Sequence, residues 1–290
     1  MSMLTRFGND LYTGQRSFDF VGRRTIWYLL GIGLVLFAIV TTVLRGGFVF
    51  GIEFRGGSEF RVSQPAEVVE SIASDTVNDV LGVGSNPRVS IGGGDSVRVQ
   101  TEQLTTEDTE LIRQELADAY SVPVNQVTSS FIGATWGQDI TTQALRALVV
   151  FLVLVSVVMA LYFRTWKMSI AAMTALIHDL VITAGVYGVL GFEITPAAVI
   201  GFLTILGYSL YDTVVVFDKV RENTSEDGEE SARTFAESVN LAVNQTLVRS
   251  INTSVVAVLP VAAILFIGSV LLGAGTLRDI ALALFIGILA

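Results

Sequence analysis

The sequence predicts an α-helical polytopic membrane protein that carries one polar α+β domain outside the bilayer. Apolar residues make up 51% of the 290 residues, and charged residues only 16%. The apolar residues form five segments of spanning length and the start of a sixth. A polar stretch at residues 45–140 separates the first of these segments from the others, and its length is that of a folded domain.

The composition excludes several classes of protein. The chain has no cysteine and one histidine, which leaves no disulfide, no thiol nucleophile and no metal site built from cysteines or several histidines. The net charge of −9 comes without a basic patch and argues against a nucleic-acid partner. Neither a phosphate-binding G-x-x-x-x-G-K-[ST] sequence nor a nucleophile–base arrangement occurs. We therefore expect neither an enzyme nor a bound cofactor.

The first span is predicted at residues 25–44, after a polar tail of residues 1–24 that carries four arginines. A cleaved signal peptide is the competing interpretation. Its hydrophobic region is normally shorter than these 20 residues, and no A-x-A-like cleavage site follows. An uncleaved membrane anchor is therefore predicted.

The polar domain is predicted at residues 45–140, where turn residues alternate with short periodic segments. Alternation of apolar and polar residues predicts strands at 58–63, 88–91, 96–101 and 126–132, with a glycine-rich turn at 92–95. Helical periodicity predicts helices at 65–81 and 105–120. The resulting order, β-α-β-β-α-β, is that of a ferredoxin-like domain, a scaffold that hosts many functions.

The transmembrane bundle is predicted at residues 141–290. Hydropathy places spans at 147–163, 169–190, 196–218 and 251–272, with a charged turn at 164–167 and a short connection at 191–195. A cytoplasmic connection at 218–249 contains a polar loop and an amphipathic lead-in at 235–248, and Pro260 is expected to kink the fifth span. The sixth apolar run, 280–290, is too short to cross the bilayer, so a truncated sixth span is predicted.

Basic residues predict the orientation. The tail, the 164–167 turn and the 218–249 connection hold four, two and four of the 18 Lys and Arg residues, whereas Arg278 stands alone in the two short connections on the other side. Positive residues favour the cytoplasmic side. We therefore expect a cytoplasmic N-terminus and an extracytoplasmic domain.

Asp212 is the most informative residue, because an ionisable group inside a span is costly and typically marks an ion or proton pathway. Side chains with hydroxyl groups are expected on its face of the fourth span, at Thr204, Tyr208, Ser209 and Thr213. The alternative is a structural carboxylate that is hydrogen-bonded within the bundle.

The fifth span brings a second polar face to the same membrane depth. Its members are Gln245, Arg249, Asn252 and Thr253. Because both faces lie toward the cytoplasmic side, Asp212 and Arg249 are predicted to meet. The alternative for Arg249 is a side chain that snorkels to the interface. His178 and Asp179, near the middle of the third span, are either part of this network or a satisfied packing pair.

Four segments resemble the signatures of the SecD/SecF family of protein translocase subunits. They are residues 207–223, residues 245–254, the His178-Asp179 pair and Gly51-Ile-Glu53-Phe-Arg-Gly56-Gly57, which looks like the family's Gly-Ile-Asp-Phe-x-Gly-Gly motif. Two positions depart from the pattern. Glu53 stands where the family commonly has Asp, which keeps the charge, and Tyr211 stands where it commonly has Asn, which changes the hydrogen bonding beside Asp212.

The resemblance implies a six-span subunit of the resistance-nodulation-division superfamily in the cytoplasmic membrane of a prokaryote. Such a subunit pairs with SecD and uses the proton gradient to assist export of unfolded polypeptides through the SecY-E-G channel. It also implies that Asp212 and Arg249 are the charged pair of the proton path. Two other classes stay open, namely half of a proton-driven small-molecule or lipid exporter and a structural membrane subunit without ion coupling.

Overall fold

The computed structural model describes residues 9–92, 96–226, 233–268 and 275–290. The predicted turn at 92–95 lies largely outside these residues. Helices and strands follow one another in this order: α1 (Arg24–Leu44), β1 (Val49–Phe50), α2 (Ile52–Arg55), β2 (Gly57–Ser63), α3 (Glu70–Leu81), β3 (Arg88–Gly92), β4 (Ser96–Thr101), α4 (Thr106–Ala119), β5 (Val127–Ile132), α5 (Ala134–Phe163), α6 (Trp166–Leu190), β6 (Glu193–Ile194), α7 (Pro196–Glu226), α8 (Phe235–Ala263) and α9 (Gly275–Leu289).

Five helices are long and apolar enough to cross a membrane, namely α1, α5, α6, α7 and α8 with its continuation to Gly268. The five predicted full spans are thus confirmed as membrane-length helices of a multi-pass protein. The sixth run belongs to α9, which begins at Gly275. A π-helical segment, Ile264–Gly268, follows Pro260, as is common where the i→i+4 hydrogen-bond pattern of a helix is interrupted.

The polar domain contains two helices and a four-stranded sheet. The strand order is β3-β4-β2-β5 and every neighbouring pair is antiparallel. One face of the sheet is apolar and packs on α3 and α4 through a core that contains Phe60, Val62, Val97, Ile112 and Leu116. The other face carries charged and polar side chains and points toward the bundle.

Two helix boundaries differ from the prediction for a clear reason. The helix expected at 65–81 begins only at Glu70, because Val69 is extended and its carbonyl accepts a 2.6 Å hydrogen bond from the Tyr120 hydroxyl. The second span was predicted from residue 147, but α5 begins at Ala134. Its first turns are polar and pack on α2, where Gly137 lies against the Phe54 carbonyl. Hydropathy identifies only the membrane-embedded part of such a helix.

The connections predicted at 164–167 and 218–249 are more helical than expected. The turn expected at 164–167 is reduced to Arg164 and Thr165, with Arg164 in the left-handed conformation. α7 continues to Glu226, and the amphipathic lead-in and fifth span are one helix that begins at Phe235 with a capping box. The 31 residues of α7 extend about 46 Å, whereas a bilayer core measures about 30 Å. Both helices therefore project beyond the membrane.

Small residues allow close packing in the bundle. A Cβ added at Gly188 of α6 would meet Thr42 of α1 at 2.1 Å, and one at Gly201 of α7 would meet Ala283 of α9 at 2.5 Å. Such close approach of backbones is the usual basis of helix association in lipid. α5, α6 and α7 share a separate apolar core around Met159, Phe163, Leu176 and Leu206.

Candidate functional site

The Asp212 carboxylate lies between α7 and α8. It interacts with the side chain of Ser250 and lies within electrostatic range of Arg249, its predicted partner. The Asp212 Oδ1 atom is buried and has no hydrogen-bond partner among the described residues. A buried acceptor without a partner is costly, and a carboxylate more so.

Arg249 is held by a different residue. Its Nη2 atom donates a 2.9 Å hydrogen bond to the Tyr211 hydroxyl, and its guanidinium lies 5.7 Å from the centre of the Tyr211 ring. No salt bridge of 4.0 Å or less joins Asp212 to Arg249 in the described part of the chain. The two residues are close neighbours without a direct ion pair.

Two of the four hydroxyls expected on the face of Asp212, those of Thr204 and Ser209, bind other partners. Thr204 donates to the Ile200 carbonyl of its own helix turn, and Tyr208 is 49% exposed. Ser209 donates to Asp179 Oδ2 at 2.5 Å, across to α6. These positions share a face by spacing, but the packing of α6 against α7 turns Ser209 away from Asp212. Thr213 is half-buried.

His178 and Asp179 are in contact with each other. His178 Nδ1 lies 3.2 Å from Asp179 Oδ1, while the second carboxylate oxygen binds Ser209. The His178 ring lies over Gly31 of α1, where an added Cβ would approach Nε2 to 3.2 Å. The pair therefore forms a polar connection from α1 through α6 to α7, separate from Asp212.

The remaining predicted residues of α8 divide between two regions. Gln245 accepts from Asn223 at 2.9 Å and donates to the Tyr12 carbonyl at 3.1 Å, so it belongs to the end of the bundle that contacts the N-terminal segment. Thr253 donates to the Arg249 carbonyl, and Asn252 is exposed. Gln245 is therefore not part of the Asp212 surroundings.

The N-terminal segment lies along the end of α7 and the start of α8, which the sequence did not indicate. Asn244 accepts from the Phe18 amide at 2.8 Å and donates to the Phe18 carbonyl at 2.9 Å. Asn240, one turn earlier, accepts from the Phe20 and Val21 amides. The two asparagine side chains thus hydrogen-bond to the backbone of the tail, as a neighbouring β-strand would.

The motif at residues 51–57 has a structural explanation. Gly51 donates to the Ile194 carbonyl at 3.0 Å, within a short parallel pairing of β1 with β6 that was not predicted. Gly56 and Gly57 have φ angles of +76° and +139°, which disfavour other residues, and a Cβ at Gly57 would meet the Thr101 carbonyl at 2.4 Å. Glu53 lies near Arg98, and its burial raises the pKa of its carboxyl more than the Arg98 charge lowers it.

One face of α7 and α8 exposes polar side chains at membrane depth. Tyr208 and Tyr211 are 49% and 52% exposed, and Arg249 and Asn252 are also exposed. Lipid does not satisfy such groups, so they require water or protein contact. Among the described residues, no group of three or more His, Asp or Glu side chains is placed to hold a metal ion.

These features define a multi-pass membrane protein that carries a polar α+β domain between its first two spans and an acidic and a basic residue within its bundle. Residues 112–290, more than half of the chain, match the family described as protein export membrane protein SecD/SecF, C-terminal. The chain belongs to this SecD/SecF family.

Individual relatives agree with this assignment. The protein translocase subunit SecF of Streptomyces coelicolor is 43% identical, over 100% of this chain and 77% of that protein. The protein translocase subunit SecF of Mycobacterium tuberculosis is 45% identical, over 98% of this chain and 65% of that protein. The crystal structure of SecDF, a translocon-associated membrane protein from Thermus thermophilus, is 29% identical with a TM-score of 0.82, and the match covers 100% of this chain and 37% of that chain.

Proposed function

We propose that this chain is an accessory subunit of the Sec protein-export machinery in the cytoplasmic membrane of a prokaryote. Together with SecD it uses the proton gradient to assist the passage of unfolded polypeptides through the SecY-E-G channel. Family membership and the translocase relatives support this function. The role is mechanical, and the subunit is not an enzyme.

The observation that carries the proposal is the arrangement of Asp212 and Arg249. Asp212 has one buried oxygen without a partner, and Arg249, close by, is bound to Tyr211 instead. A site in which the acid and the base are adjacent but not locked together has two arrangements available. Because gain or loss of a proton at Asp212 changes its attraction to Arg249, protonation selects between these arrangements.

The proton gradient supplies enough free energy to shift the equilibrium between these two arrangements. A charge that crosses the membrane gains about 2.3 kcal/mol per 100 mV, and a pH difference adds about 1.4 kcal/mol per unit. Equilibria between two packing arrangements of a bundle shift markedly with a few kcal/mol.

SecD is the proposed partner that covers the exposed polar face of α7 and α8. Tyr208, Tyr211 and Arg249 would face lipid in the isolated chain. A second transmembrane bundle of the same superfamily provides hydrogen-bond partners for these side chains and completes the transport unit. The Thermus relative supports this pairing, since its name joins SecD with SecF and this chain covers 37% of it.

The polar domain, residues 45–140, is proposed to be ferredoxin-like and extracytoplasmic, with the N-terminus in the cytoplasm. Its strand order supports the fold, and the distribution of basic residues supports the orientation. The domain is joined directly to α1 and α5. Movement of the bundle 141–290 is therefore transmitted to it, and the domain is the proposed output that acts on the exported chain.

The test is Asp212→Asn, which preserves size and polarity but removes proton exchange. We expect it to insert and to assemble with SecD, and to abolish stimulation of export by the proton gradient in vesicles. Asp218→Asn is the matched control, because Asp218 lies further along α7, where it binds the Tyr162 hydroxyl at 2.7 Å. The control should retain full stimulation.

Full gradient-dependent stimulation in Asp212→Asn would exclude the proton-carrying role. Loss of insertion or assembly in Asp212→Asn, but not in Asp218→Asn, would instead identify Asp212 as a structural carboxylate.

A further inference from the structure

A charged cluster joins the polar domain to the outer ends of the bundle. We call it the junction cluster, and its members are Glu53 of α2, Glu59 of β2, Arg98 and Gln100 of β4 and Glu193 of β6. None of the motifs at Asp212 or Arg249 includes these residues. Arg98 and Glu193 are 95 positions apart in the sequence, so only the fold brings them together.

Two residues of the polar domain donate hydrogen bonds to the Glu193 carboxylate. Arg98 Nη1 donates to Glu193 Oε2 at 2.8 Å, and Gln100 Nε2 donates to Glu193 Oε1 at 2.7 Å. The other end of the guanidinium lies 2.6 Å from Glu59 of the same sheet. Because the Arg98 side chain is only 24% exposed, these ion pairs are partly shielded from solvent. Both oxygens of a bundle carboxylate are therefore bound by one strand of the domain.

Glu53 is the poorly satisfied member of the cluster. Its Oε1 atom lies 3.9 Å from Arg98, and its Oε2 atom is buried without a hydrogen-bond partner in the described residues. A Cβ built on Gly51 would lie 2.2 Å from Glu53 Oε2 and 3.1 Å from Glu193 Oε1, so the two carboxylates converge over this glycine. Two carboxylates that share one site do not readily stay charged together.

A cavity of about 830 Å³ gives solvent access to the cluster, between the polar face of the sheet and the outer ends of α7 and α9. The charged groups that face Glu53 directly are Arg98, Glu193 and Glu59. Across the cavity lie Arg61, Arg88, Arg278 and Asp279. The Glu53 side chain lines this cavity and is 28% exposed, so solvent has access to it.

We propose that the junction cluster is a proton-controlled latch. Arg98 and Gln100 dock the polar domain on the bundle through Glu193, and Glu53 strengthens the docking when it takes up a proton. A protonated Glu53 no longer repels Glu193 and has an O–H to donate across Gly51. The latch follows from contacts outside the membrane and does not depend on Asp212 carrying a proton.

The sign of the pH effect follows from burial. In the docked state, burial raises the pKa of Glu53 above its ordinary value of 4.5, with the Arg98 charge opposing part of the shift. A released domain exposes Glu53 and returns its pKa toward the ordinary value. The docked state therefore binds the proton more tightly, so docking strengthens as pH falls toward 4.5 and weakens as pH rises through the docked-state pKa.

The test measures the distance between domain and bundle in the full-length protein in lipid nanodiscs. Spin labels are placed at Asp118→Cys on α4 and Leu190→Cys at the end of α6, both exposed positions in a chain without native cysteine. Electron–electron double resonance then gives the docked and released populations at about pH 7 and about pH 5.5. We expect the docked population to be larger at the lower pH.

Three variants test the individual contacts. Arg98→Gln should lower the ratio of docked to released molecules by about tenfold, because it removes the charged hydrogen bonds to Glu193. Glu53→Gln, which mimics the protonated acid, should keep the domain docked at both pH values. Arg113→Gln is the matched control, because Arg113 forms a 3.1 Å pair with Glu110 on the same domain, far from the junction.

The proposal is overturned if Arg98→Gln gives the distance distribution of Arg113→Gln, or if Glu53→Gln retains the pH dependence of the unmodified protein. Amide hydrogen exchange of the sheet shows whether Arg98→Gln disturbs the domain itself. If it does, Glu193→Gln decides the question, since it weakens the same contact from the bundle without changing a residue of the sheet.

Discussion

Tyr211 determines where the Arg249 side chain lies. Its hydroxyl accepts a hydrogen bond from Arg249 and its ring lies beside the guanidinium. A hydrogen bond to a charged group contributes about 1.5–3 kcal/mol. Tyr211 thereby offsets the attraction between Arg249 and Asp212, which is the balance on which the proposed proton coupling depends. An asparagine, common in the family at this position, offers an amide in place of the hydroxyl and the aromatic face.

Replacing Tyr211 with phenylalanine should shift this balance. Tyr211→Phe keeps the ring and loses the acceptor, so Arg249 is released toward Asp212. We expect the pH profile of gradient-dependent export to shift, because Arg249 then pairs more tightly with charged Asp212. Tyr208→Phe, which removes an exposed hydroxyl one turn earlier on α7, serves as the control. Identical pH profiles in the two variants would show that Tyr211 does not position Arg249.

At the scale of elements, α8 connects the membrane site with the N-terminal segment. Arg249 lies about one and a half turns after Asn244, which binds the Phe18 backbone through both its amide and its carbonyl group. The segment then leads into α1, whose small residues pack on α6. The Asn244 hydrogen bonds thus connect α8 to the segment that leads into the first span.

Loss of an asparagine side chain should release the segment. Asn244→Ala removes two hydrogen bonds to the Phe18 backbone, at a cost of about 1–3 kcal/mol, while the bond from Asn240 to the Phe18 carbonyl stays. We expect faster proteolysis at residues 9–21 in inside-out vesicles, by roughly tenfold, with insertion unchanged. Asn252→Ala, an exposed asparagine on the same helix, should cleave at the rate of the unmodified protein. An equal rate for Asn244→Ala would mean that the segment is held by other contacts.

At the scale of the whole molecule, the bundle has two different ends, which the proposed topology puts on opposite sides of the membrane. The junction cluster and the polar domain lie at one end. The N-terminal segment and the projecting parts of α7 and α8 lie at the other. Asp212 and Arg249 stand between them, so the proposed proton step and the proposed latch are linked only through the helices.

The proposed orientation is tested by labelling from one side. Asp118→Cys on the polar domain and Ala236→Cys at the start of α8 are both exposed. In intact cells whose outer surface is accessible, a membrane-impermeant maleimide should label Asp118→Cys only, and in inside-out vesicles it should label Ala236→Cys only. Labelling of both variants from the same side would refute the topology.

The sequence by itself determined the membrane spans and the β-α-β-β-α-β order of the domain. It also determined that Asp212 and Arg249 lie at similar depth on adjacent helices. These features depend on local properties, namely the hydropathy and periodicity of consecutive residues and the length of a helix. Hydropathy misjudged the start of α5 and the extent of α7, because a helix does not end where its apolar residues end.

Only the tertiary structure decided which polar groups bind each other. Phe18 and Asn244 are 226 positions apart, and Arg98 and Glu193 are 95 apart, so no periodicity relates them. Sequence spacing placed Ser209 on the same helix face as Asp212. In the packed bundle, however, the Ser209 hydroxyl donates a hydrogen bond to Asp179 of α6. Burial likewise raised the pKa of Glu53, which the sequence identified only as a charged position in a family motif. Hydrogen-bond partners and desolvation depend on which elements pack together, and that is settled when the whole chain has folded.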